Sequence, residues 1–76
     1  MNEWQTMNHF DETRINEDIL VREKYGDPII ARLTNKGIWK AVSDGVFVYD
    51  PRSKHGEMRV TPFLWMDIPV FDWNTL

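Results

Sequence analysis

Apolar and polar residues alternate through the middle of the chain. In Ile19–Tyr25, Ile19, Val21 and Tyr25 share one side, and Leu20, Arg22 and Lys24 share the other. That is the period of a half-buried strand with an aromatic end. Gly26-Asp27-Pro28 interrupts it as a turn, and the alternation resumes in Ile29–Thr34, with Ile29, Ala31 and Leu33 inward and Arg32 and Thr34 outward. Asn35-Lys36-Gly37 supplies a hairpin turn into a partner strand, Ile38–Val42. Ser43-Asp44-Gly45 is a second turn, because Asp-Gly accepts the positive φ angles of a tight hairpin. Val46–Tyr49 then reads as a short apolar strand covered on both faces. Asp50–Glu57 is polar, opens with Asp-Pro and holds Gly56 near its end, so it reads as a surface loop. Met58–Met66 begins as a strand with Met58 and Val60 inward and Arg59 and Thr61 outward. Pro62 cannot donate to a ladder, so it marks an edge strand or a bulge.

The pattern predicts a mainly β chain, with a small α+β arrangement as the alternative. Four to five short strands follow one another in a single antiparallel meander, the cheapest topology for strands joined by turns. The first 18 residues read as irregular or short-helical. Trp4, Met7 and Phe10 stand three apart, which suits one helical turn with Trp4 on the sheet. Pro69 and the short length make Ile68–Leu76 extended rather than helical. No repeat or linker divides the chain, so residues 1–76 read as one small domain.

Size sharpens this picture. Below about 70–80 residues a core has little margin, and with no cysteine there is no disulfide to add any. The burial must come from the four Trp, four Phe and two Tyr, since large rings remove the most surface from water. No apolar run approaches the roughly 20 residues of a membrane helix, and the acid-rich start does not resemble a secretory signal. A cytoplasmic protein is expected.

The net charge of −3 is uneven. Residues 1–18 carry −4, residues 19–66 carry +3 and residues 67–76 carry −2. Acidic ends suit docking on a basic surface of another protein. They disfavour direct binding to nucleic acid, which needs clustered Lys and Arg.

Few groups are placed for catalysis. His9 and His55 lack metal-pair spacing, Ser43 and Ser53 sit in turns, and no phosphate-binding glycine loop occurs. Asp11/Glu12 and Glu17/Asp18 are adjacent in sequence and point to opposite faces of an extended chain. A non-enzymatic protein with no cofactor and no metal is expected. The stronger signal is aromatic. Phe63, Trp65, Phe71 and Trp73 lie within eleven residues, interleaved with Asp67 and Asp72. They either wrap the sheet and complete the core or form an aromatic–acidic patch for a partner protein, where Trp and Tyr anchors are common. Trp39 and Tyr49 could extend either set.

Several of these residues form a recognisable order: Trp4, the strand Ile19-Leu20-Val21, the segment Ala31–Trp39 (ARL…GIW) and the run Val60–Pro69 (VTPFLWMDIP). This order resembles a family of short phage and prophage proteins with an N-terminal Trp, a VLV strand and a closing VT-x-W-M-x-LP motif. Trp65-Met66 and Ile68-Pro69 correspond to its W-M and L-P. The chain departs from the pattern in having no Leu-Pro before its first strand and in continuing through Val70–Leu76. The resemblance implies phage or prophage origin, a bacterial host and a small β-rich fold, and carries no assigned activity. By type, the chain is also similar to small phage inhibitors of bacterial defence, including anti-CRISPR proteins. The expected function is to bind and block a host protein or complex, such as a defence or nucleic-acid-handling assembly. The alternatives are a self-associating module, with a homodimer as its simplest form, and a small ligand-binding protein or hydrolase.

Overall fold

A computed structural model of the chain describes residues 3–54 and 56–68. Its strands are β1 (Gln5–Thr6), β2 (Ile19–Arg22), β3 (Ile29–Leu33), β4 (Trp39–Ser43), β5 (Val46–Phe47) and β6 (Leu64–Met66). They form one antiparallel sheet in the order β1-β6-β2-β3-β4-β5. A 3-10 turn, Met7–His9, follows β1. The mainly β class and the helical turn near the start are as the alternation and the Trp4–Met7–Phe10 spacing predict.

Strands β2 to β5 are the expected meander. The β4–β5 connection is a two-residue turn between the paired residues Ser43 and Val46. Asp44 and Gly45 both have positive φ, 52° and 82°, which is the backbone of a type I′ hairpin. A Cβ on Gly45 would meet nothing within 4 Å, so a substitution there is strained by the backbone alone. Gly45→Val should lower stability by about 1–2 kcal/mol, read as a lower urea midpoint with an unchanged slope.

The last strand leaves the meander. Instead of pairing beside β5, β6 inserts between β1 and β2, with Val21 opposite Trp65 and Gln5 opposite Trp65 on its other side. The chain before it pairs elsewhere. Ala41 N–H donates to Met58 O (2.9 Å), Val60 N–H donates to Trp39 O (3.1 Å), and Arg59 stands opposite Lys40. Then Phe63 N–H donates to Arg22 O (2.8 Å). One continuous stretch, 58–66, is therefore bonded to β4 at one end and to β2 at the other. It closes the ring β2–β3–β4 upon itself. Pro62 falls in the crossover, where no ladder bond is required of it. The strand after it is thus interior, neither an edge nor bulged at the proline.

The concave face holds the core. Ile19 and Val21 are fully buried, with Phe10, Ala31, Leu33, Ala41, Val60 and Trp65 around them. Ala31 and Ala41 stand directly opposite each other and keep that part of the face low; the same cluster contains the Phe10 and Trp65 rings.

Two expectations change. Tyr25 does not share the buried face of Ile19 and Val21. The strand stops at Arg22, a turn closes from Glu23 O to Gly26 N–H, and Tyr25 is 92% exposed. Val46–Tyr49 is not covered on both faces either. β5 is the outer strand, and Val46 and Tyr49 are 65% and 74% exposed. A single curled sheet has only one interior, so an edge strand has no second layer to bury its outward residues.

Candidate functional site: an aromatic cleft beside the first strands

A cleft of about 340 Å3 lies between the N-terminal segment and the end of β3. Local bonding builds it. The 3-10 turn is closed by Phe10 N–H donating to Met7 O (3.1 Å), which puts Met7 and Phe10 on the sheet side. The next turn forms on Asp11, whose Oδ1 accepts from the Thr13 hydroxyl (2.6 Å) and the Thr13 N–H (2.9 Å). These two bonds, the hydroxyl foremost, hold the Asp11 carboxyl below the usual carboxylate range. Their contribution is present at neutral pH and is lost as acid protonates Asp11. Asn16, with φ 61°, then donates its N–H to Leu33 O (2.9 Å) and pins the segment to the end of β3.

The opposite wall is the β3–β4 turn. Thr34 Oγ1 accepts from the N–H groups of Lys36 (3.3 Å) and Ile38 (3.2 Å). Gly37 takes φ 78°, donating its N–H to Thr34 O. Phe10 and Trp39 supply the aromatic lining, their ring centroids 4.9 Å apart and edge to face. Met7, Leu33 and the half-exposed Ile15 supply aliphatic surface. Glu12, Thr34 and Asn35 are the polar groups, and Glu12 is the one charged side chain among them.

Behind the cleft the aromatic cluster continues. Phe10 meets Trp65 edge to face at 5.1 Å. The Arg14 guanidinium carbon lies 5.8 Å from both the Phe10 and Trp65 centroids, a distance at which ring and cation attract. Its Nη2 also donates to Asp67 (2.6 Å) and Glu17 (3.2 Å). Asp67 is the main cause of the raised Arg14 pKa.

The expected aromatic–acidic patch divides. Trp65 is core, 5% exposed, with its indole N–H donating to Thr6 O (3.1 Å). Phe63 is half exposed; the strand starts only at Leu64, so alternation does not carry Phe63 and Trp65 onto one face. Asp67 is exposed and committed to Arg14. Phe71, Asp72 and Trp73 lie outside the described residues, as does His55. Met7 and Phe10 were visible in the sequence as a helical stripe and Trp39 as part of the aromatic surplus. Glu12, Ile15, Thr34 and Asn35 carried no signal, because their two segments meet only in the fold, through contacts such as the Asn16–Leu33 bond and the Phe10–Trp39 ring pair.

His9 and Ser43 are exposed and stand apart from the cleft. Among the described residues no cluster of three or more His, Asp or Glu is placed to hold a metal. No helix among them is long and apolar enough to cross a membrane. Comparison with protein-family models, with curated proteins and with solved structures finds no match for this chain.

Proposed function

We propose that this protein is a non-enzymatic binding module that blocks a partner protein by seating part of it in the Phe10–Trp39 cleft. The observation that carries the reading is the cleft itself: two aromatic rings and aliphatic side chains form its lining, with a few polar groups among them. Concave sites of this make-up, several hundred Å3 in size, are where proteins take ligands and anchoring side chains. On the resemblance to small phage proteins, the partner is a host protein or complex in the bacterial cytoplasm, and occupation of its surface is the inhibition.

The test is a tagged pull-down from bacterial lysate with the wild type and with Ile15→Asp. Ile15 is 40% exposed at the cleft, so a charge there should spoil the site without unfolding the sheet, as circular dichroism would verify. One protein recovered near stoichiometrically with the wild type and lost with the variant supports the reading. Equal recovery with both removes the cleft from it. The edge strand β5, with Val46 outward and the exposed Tyr49 just beyond it, favours self-association as the second reading. Recovery of the protein alone, with a doubled mass in solution, would establish that reading instead.

A further inference from the structure

The four carboxylates from Asp11 to Asp18 are not equivalent. Asp11 is engaged by Thr13, Glu17 by Arg14 and Asp18 by Arg32. Glu12 has no hydrogen bond or ion pair among the described residues, and it is the carboxylate that lines the cleft. Beside it stand Phe10 and Trp39, whose ring faces attract cations, and Asn35, whose carboxamide oxygen can accept a hydrogen bond. A cation is the charge that this lining complements.

The molecule already holds one such group. Arg14 lies against Phe10 and Trp65 and is clamped by Asp67 and Glu17. The cleft offers the same components from the other end of the cluster: Phe10 again, Trp39 in place of Trp65, and Glu12 as the carboxylate. A planar guanidinium can lie flat on a ring and bond a carboxylate through two N–H groups at its edge, whereas an ammonium presents only a compact point charge. We infer that the cleft binds the side chain of an arginine from the partner protein, with Glu12 as its counter-ion and Trp39 as its stacking surface. This inference rests on the cleft being the docking site and adds the chemistry of what enters it.

The experiment uses the full chain, labelled with 15N, and three probes: acetyl-Gly-Arg-Gly-amide, its citrulline counterpart and acetyl-Gly-Leu-Gly-amide. Citrulline keeps the shape of arginine and removes the charge. The arginine probe should give saturable shifts at the Trp39 indole N–H and in residues 34–37. The citrulline probe should bind about tenfold more weakly, the loss of one charge-assisted hydrogen bond. Glu12→Gln, at an exposed position, should abolish the difference between the two. Equal binding of arginine and citrulline, or no saturable shift with arginine, overturns the inference. Cleft shifts with the leucine probe alone would overturn it too, while leaving the cleft as a docking site. Arginine binding together with unchanged partner capture by Ile15→Asp would instead keep the arginine site and remove the proposed function.

Discussion

Trp65→Ala should remove a large share of the protein's stability and lower its urea midpoint accordingly. Trp65 is 5% exposed on an interior strand, meets Phe10 edge to face and gives its indole N–H to Thr6 O. Truncating a buried Trp costs about 3–5 kcal/mol, counting both the lost transfer energy and the cavity left behind. At roughly 0.05–0.15 kcal/mol per residue, a chain of 76 residues has on the order of 4–11 kcal/mol in all. The substitution therefore removes a large share of the total. Urea titration followed by far-ultraviolet circular dichroism reads it without interference from the other tryptophans. Trp65→Phe is the informative companion. It keeps most of the ring and leaves Thr6 O without its donor, so its cost should be about 1–2 kcal/mol. An alanine variant as stable as the wild type would mean that Trp65 is not part of the core.

Phe10→Ala should cost a similar amount, about 3–5 kcal/mol, with a different distribution along the chain. The Phe10 ring touches both Trp39 and Trp65, and it belongs to the long connection between β1 and β2. That connection is otherwise tied to the sheet by the Asn16–Leu33 bond and by the side chains of Arg14 and Asp18. Without the ring, the segment should open before the sheet does. Amide exchange should therefore quicken at Arg14 and Asn16 more than at Ile19 and Ala31. The cleft loses part of its lining in the same step, so arginine-probe shifts at Trp39 should vanish. A uniform loss of protection over all four amides would show that the segment and the sheet open as one unit.

The elements that depend on neighbours in sequence were legible in it. Alternation placed Ile19, Val21, Ala31 and Leu33 inward, and all four are buried. The Asp44-Gly45 dipeptide marked a hairpin that is there, because two consecutive positive φ angles favour those residue types. The partner of β6 was not legible. A three-residue strand after a proline reads locally as an edge; only its distant pairing with β1 and β2 makes it central. Trp65 and Phe63 show the same limit, since two residues of similar character differ in burial by where a strand begins. The cleft was partly visible in the spacing of Met7 and Phe10. Its polar half was hidden, because Glu12 and Asn35 look like ordinary surface residues until the chain folds them together.

The pairing of β1 with β6 also determines how the protein responds to force. The two strands are antiparallel, with Gln5 opposite Trp65 and Thr6 opposite Leu64. Chain entering β1 and chain leaving β6 thus emerge at the same end of the pair, side by side. Tension applied through both would peel the two strands apart one residue pair at a time instead of shearing the whole pair at once. A domain laid out this way is mechanically soft along its own chain, however well its core is packed. It is also one whose flanking sequences could be joined by a short linker without disturbing the sheet.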